Sequence, residues 1–118
     1  MIEYCLKKAQ ELPMTHRQRL YAVVTDRKGN ILGEGANSFV KSHPAQAKAA
    51  KKVGQPFKEC LHAESLALIR AAKTGKIPYQ LTVARILRDN VSSGLAMPCA
   101  VCSFMAKEAG VEVISFST

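Results

Sequence analysis

Leu61, Leu66, Ala67, Leu68, Ile69 and Ala71 make residues 61–74 apolar nearly all round a helix, which Gly75 and Pro78 close. A helix of that kind is buried on more than one side, so it needs packing partners on each. The segments around it read largely as strands. Leu20 to Thr25 (LYAVVT) is rich in β-formers, and Asp26-Arg27-Lys28-Gly29-Asn30 turns the chain into Ile31-Leu32-Gly33, which makes a hairpin. Leu81 to Leu87 (LTVARIL) reads as a further strand, Asp89 to Gly94 as a polar loop and Val111 to Phe116 (VEVISF) as the last strand.

Two further helices complete the pattern. Residues 2–12 carry Ile2, Cys5, Leu6, Ala9 and Leu12 at helical spacing, with Lys7, Lys8 and Gln10 on the other side and Pro13 as the stop. Pro98 is placed as the first residue of a helix over 98–109, capped by Gly110. Residues 36–59 are a long connection containing Pro44, Gly54 and Pro56, with room for a short helix over Ala45 to Lys52. The order α-β-β-α-β-α-β predicts an α/β fold, a mixed β-sheet packed with helices. With no repeat, low-complexity stretch or Gly/Ser linker, residues 1–118 are expected to form a single domain.

Composition closes off other classes. Hydrophobic residues make up 47% and charged residues 22% of 118, which excludes disorder, collagen-like repeats and a disulfide-packed mini-protein. That length buries a core without staples. The N-terminus has no apolar signal segment, and no run of about 18 to 20 apolar residues is present. A cytoplasmic location and no membrane partner are expected. In a reducing compartment, a close Cys pair is more often a metal site or redox motif than a disulfide.

Two segments carry the chemistry, His62-Ala63-Glu64 and Pro98-Cys99-Ala100-Val101-Cys102. Cys99 and Cys102 stand three apart at the start of a helix, so both sulfurs project from one face. The helix N-terminus favours negative charge and is expected to prepare both as thiolates. Alone, the pair is equally a thioredoxin-like redox motif. His62, at the start of another helix, supplies a third ligand for tetrahedral zinc. Three protein ligands with one open position describe a catalytic site rather than a structural one. Glu64, two residues from His62, is placed to take a proton from water without being a ligand. Together the two segments form H-x-E…P-C-x-x-C, the zinc-deaminase signature.

On those residues the chain resembles the zinc-dependent cytidine and deoxycytidylate deaminase superfamily. The resemblance covers most of the chain, from the hairpin at 20–33 through the strand at 111–116. Gly94 to Cys102 (GLAMPCAVC) and Ala109 to Ser115 (AGVEVIS) are similar to small phage and bacterial members. It implies a cytidine-deaminase-like sheet reduced to a minimal core, with Zn2+ held by His62, Cys99 and Cys102 and Glu64 shuttling protons. The reaction implied is hydrolysis of cytosine to uracil at the amine-bearing carbon. The Ala63 N–H would bind the base carbonyl, and Asn37 resembles the asparagine that contacts sugar and base. Three departures stand out. Met97 replaces the usual Glu or Lys before Pro-Cys. Leu66 replaces an asparagine two residues after the glutamate. The chain also stops soon after the strand at 111–116, which leaves room for a homo-oligomer that completes the site.

Charge bears on the substrate. Against nine acids stand 17 Lys and Arg, a formal charge of +8. Residues 35–58 hold five lysines and no acid, and residues 65–88 five more basic residues and no acid. Lys41, Lys48, Lys51 and Lys52, with His43, are placed to border the pocket and hold one phosphate or track a longer backbone. Phe39 and Phe57 flank that loop and offer stacking faces. Three readings follow. The first is deamination of a small nucleoside or nucleotide such as cytidine, deoxycytidine or dCMP. The second is deamination of cytosine or adenine in single-stranded DNA or RNA. The third is a non-catalytic zinc module, which would leave Glu64 without a role.

Overall fold

The computed structural model describes residues 1–13, 18–37, 44–54 and 62–118. Among them the chain runs α1 (Ile2–Gln10), β1 (Arg19–Thr25), β2 (Ile31–Ala36), α2 (Pro44–Lys52), α3 (Ala63–Ala72), β3 (Gln80–Ile86), β4 (Ser93–Gly94), α4 (Ala100–Ala109) and β5 (Val113–Phe116). β1 pairs antiparallel with β2 on one side and with β3 on the other. The far side of β3 is shared. β5 runs parallel along Gln80 to Val83, and β4 pairs antiparallel with Arg85 and Ile86. Ser117 joins the two. Its N–H donates to the Val83 carbonyl at 3.0 Å, and its hydroxyl accepts from the Arg85 N–H at 2.9 Å and donates to the Gly94 carbonyl at 2.7 Å.

Strand alternation distributes the core over two faces. Ala22 and Val24 of β1 and Leu81 and Val83 of β3 pack with Ala63, Ala67, Leu68 and Ala71 of α3 and Ala106 of α4. Val23 and Ala84 face the opposite way and pack with Cys5 of α1. The expected mixed sheet packed with helices is therefore present. Close approach of α3 to β2 depends on glycine. A Cβ at Gly33 would lie 2.3 Å from the Ala67 carbonyl oxygen and 2.5 Å from the Ala71 nitrogen.

Several boundaries differ from the sequence reading, most by one or two residues, and three have a clear physical reason. The loop expected over 89–94 ends in β4, whose two residues are too few to carry an alternation. Pro98 does not begin α4; it precedes the cap residue Cys99, whose extended backbone (ψ 172°) places it outside the helix. Val111 lies outside β5 because it completes the end of α4. Gly110 adopts φ 91°, and the N–H groups of Gly110 and Val111 turn back to the carbonyls of Lys107 and Ala106 at 3.1 and 3.0 Å, a Schellman motif. No helix among the described residues is long and apolar enough to cross a membrane.

Candidate metal centre

His62 and Cys99 occupy equivalent positions in their elements. Each is the N-cap of a helix, with an extended backbone at ψ 158° and 172°, ahead of α3 and α4 respectively. Cap residues aim their side chains back over the helix start, and the two starts meet. His62 Nδ1 lies 3.2 Å from Cys102 Sγ and 3.5 Å from Cys99 Sγ. All three ligand atoms fall within 4.8 Å of one another. A tetrahedral zinc ion with ordinary Zn–N and Zn–S bonds separates its ligand atoms by about 3.6 Å for N···S and about 3.8 Å for S···S. The donor set and its spacing fit zinc with little adjustment.

The electrostatics of the two cysteines are linked. The Cys102 thiol, hydrogen-bonded to Cys99, holds the Cys99 thiol down to about 3; the His62 ring and the Cys102 amide assist, while burial opposes. That same contact and burial push Cys102 well above the usual thiol range. Without a cation, the two adjacent sulfurs disfavour a second negative charge on the pair. Since a ligating cysteine is a thiolate, a divalent cation binding here displaces the Cys102 proton.

Glu64 is only 6% exposed. Burial is the main influence on its carboxyl and raises it above the usual range; its own backbone amide and the His62 charge pull it down. The Cys99 charge and a hydrogen bond with Cys102 also act on it, so its carboxylate faces the triad. Ala63, fully buried, is the first residue of α3, and first-turn N–H groups have no acceptor within their own helix.

The fold thus brings together His62, Ala63, Glu64, Cys99 and Cys102. Asn37 lies just past β2. Its Oδ1 accepts from the Leu20 N–H at 3.2 Å and its Nδ2 donates to the Gln18 carbonyl at 3.0 Å, tying the end of β2 to the start of β1. Phe39, Lys41 and His43 fall outside the described residues, as does Phe57. Leu95 and Met97 are exposed at 56% and 64%, while Ala96 between them is buried and its N–H donates to the Ser117 carbonyl at 3.0 Å. That alternation puts Leu95, Met97 and Cys99 on one side of an extended segment.

Two residues near the site escaped the sequence reading. Ser65 stands at the third helical position after the His62 cap, and its oxygen accepts the His62 N–H at 3.0 Å. Gln46 of α2 accepts from the same N–H at 3.2 Å. The signals were a Ser three residues after a cap and a glutamine sharing the Ala49–Ala50 face of an otherwise Ala- and Lys-rich helix.

The family model for the cytidine and deoxycytidylate deaminase zinc-binding region matches residues 1–118. The chain belongs to that family. A search of curated proteins finds no match. Among solved structures, the dCMP deaminase from the cyanophage S-TIM5, in apo form, is similar at 25% identity with a TM-score of 0.57. The alignment covers 97% of this chain and 79% of that one. In this chain the two segments that form the triad are far apart in sequence, with His62 and Cys99 separated by 37 positions.

Proposed function

We propose that the chain is a zinc-dependent hydrolase that converts cytosine to uracil in a small nucleotide such as dCMP, using Glu64 as the proton shuttle. The observation that carries this reading is a buried glutamate, its carboxyl raised by burial, facing a His/Cys/Cys triad spaced for zinc. His62, Cys99 and Cys102 would hold the zinc, which would lower the pKa of a bound water to about 7. Glu64 accepts the proton released as the water oxygen bonds to the amine-bearing carbon. It passes that proton to the ring nitrogen. It then carries the remaining proton of the added hydroxyl to the amine, so that the C–N bond breaks, ammonia leaves and the hydroxyl oxygen becomes the uracil carbonyl. A raised carboxyl pKa suits a group that both takes and gives a proton. The Ala63 N–H orients the base by its carbonyl, Asn37 contacts the sugar, and Leu95 and Met97 form an uncharged wall on the Cys99 side.

The nucleotide preference draws support from the likeness to a dCMP deaminase. Lys48 and Lys52, expected to border the pocket, instead lie by Ala72, Phe104 and Glu108, toward the far ends of α3 and α4. The +8 charge also favours a second reading, cytosine in a single-stranded polynucleotide. Ammonia release from dCMP, deoxycytidine, cytidine and single-stranded oligonucleotides, each titrated with salt, separates the two. A strand held at four phosphates loses affinity with a log–log slope of about −2.8; a mononucleotide depends on salt weakly. Turnover of oligonucleotides without turnover of dCMP would reverse the ranking. The purified protein is expected to carry about one zinc per chain. Glu64→Gln should keep that zinc and lose about 10²- to 10⁴-fold in ammonia release; undiminished turnover would remove Glu64 from the mechanism.

A further inference from the structure

α2 has a plain sequence, PAQAKAAKK, and one uncharged polar side chain, Gln46, which the fold buries completely at 0% exposure. A buried amide is tolerated where its hydrogen bonds are met, and the partners here are specific. Gln46 Oε1 accepts from the His62 N–H at 3.2 Å and from the Ser65 hydroxyl. Ser65 in turn accepts from the His62 N–H at 3.0 Å. The backbone of the residue whose ring nitrogen faces both sulfurs is therefore gripped by an acceptor from another helix. One turn further along the same face of α2, Ala49 and Ala50 form a buried cluster with Val101 in the first turn of α4, and Cys99 packs against that cluster. A single face of α2 thus reaches His62 through a hydrogen bond and the start of α4 through packing.

We propose that Gln46 is a positioning residue for the metal centre. Through its acceptor oxygen, α2 acts as a brace that sets the His62 ring against the two cysteine sulfurs. Metal affinity depends on ligands being held in place before the ion arrives, and loss of an outer partner typically weakens binding 10- to 100-fold. A glutamine that merely filled space would affect stability alone. The inference rests on the reading of His62, Cys99 and Cys102 as zinc ligands, and the wild-type protein tests that reading first. If the wild type does not bind zinc, that reading fails. If it binds zinc and the Gln46 variants bind equally well, only the brace fails.

The experiment compares Gln46→Met, which keeps the length of the side chain and removes the strong acceptor, with Gln46→Glu, which retains an acceptor. Zinc affinity is measured by competition with a chromophoric chelator. Ligand geometry is read from the visible spectrum of the cobalt(II)-substituted protein, and the melting temperature is taken on metal-free protein. Gln46→Met is expected to weaken zinc binding 10- to 100-fold and to change the cobalt spectrum. Gln46→Glu should restore both to near wild type. Zinc affinity of Gln46→Met within twofold of wild type overturns the proposal, and so does an equal loss in Gln46→Glu. Should Gln46→Met fail to fold, Gln46→Asn carries the test, since it keeps a polar amide but is one methylene too short to place its oxygen on the His62 N–H. A several-fold loss of zinc affinity with a changed cobalt spectrum supports the brace, and unchanged affinity overturns it.

Discussion

On the sheet face opposite the His/Cys/Cys triad, one oxygen atom joins three elements. Glu34 Oε1 of β2 accepts from the Tyr4 hydroxyl of α1 at 2.6 Å and the Tyr21 hydroxyl of β1 at 2.5 Å. Bonds from a phenol to a carboxylate are short and charge-assisted, and losing either proton sets a phenolate against that carboxylate. The bond to Glu34, followed by burial, raises Tyr4 from 10.0 to about 12. Burial is the larger cause for Tyr21, with the Glu34 bond next. A tyrosine whose pKa is raised on folding contributes stability that is full below its unfolded value and lost as pH climbs through the folded one. The Tyr4 contribution should therefore hold to about pH 10 and disappear by about pH 12. Glu34→Gln should shift the tyrosine absorbance titration downward and flatten the loss of stability across that window; an unmoved titration would mean that Glu34 is not the cause. His62, Glu64, Cys99 and Cys102 were legible in the sequence, because metal and proton chemistry restrict residue type and spacing within two short segments. Glu34 and Gln46 were not. Their partners lie 13 to 30 and 16 to 19 positions away, and what those residues do depends on which neighbours folding brings.

α3 carries the site at its first turn and leans on β2 along the rest of its length, so that contact sets where the site stands. Gly33 meets helix backbone, the Ala67 carbonyl oxygen at 2.3 Å and the Ala71 nitrogen at 2.5 Å from an added Cβ, whereas Gly35 meets the Leu66 side chain at 2.5 Å. A side chain can rotate away, but helix backbone moves only with the whole helix. Gly33→Ala should cost about 1–3 kcal/mol, the usual range for overpacking, which at this size is roughly 3–18 °C in melting temperature. It should also weaken zinc binding, because displacing α3 displaces His62. Gly35→Ala should be milder on both counts. Thermal melts and zinc titration of the two variants check this, and equal effects would show that α3 is not seated on Gly33. Helices and long strands were readable from periodicity, since burial on one or both faces leaves a repeating apolar pattern. The starts of α3 and α4 and the two-residue β4 were less so. A cap is defined by backbone angles such as ψ 158° at His62 and 172° at Cys99, and Ser93 and Gly94 pair with Arg85 and Ile86 beside a Ser117 hydroxyl that bonds the Gly94 carbonyl.

For the molecule as a whole, the triad sits at the starts of two helices, α3 and α4. The apolar core already joins those helices further along through Ala67, Leu68, Ala71 and Ala106. The core of Ala22, Val24, Leu81, Val83 and the α3 alanines forms without any ligand residue, and so does the cluster under α1. What the ligands add is a link between the starts of α3 and α4. An ion that binds the folded chain and not the unfolded one stabilises it by mass action. At free zinc 1,000 times its dissociation constant the gain is about 4 kcal/mol, on the order of 15 °C for a domain of this size. Treating the zinc-loaded protein with a strong chelator should lower its melting temperature by about that amount while leaving the helical circular-dichroism signal at 25 °C largely intact. The variants divide according to role. Cys102→Ala removes a ligand and should melt at the lower temperature with or without chelator, whereas Glu64→Gln should keep the full zinc-dependent shift although it no longer releases ammonia. A chelator that strips the zinc and leaves the melting temperature unchanged would separate the metal from the stability of the fold. Loss of the shift in Glu64→Gln would instead make Glu64 a fourth ligand, close the open coordination position and leave no place for the water that the reaction requires.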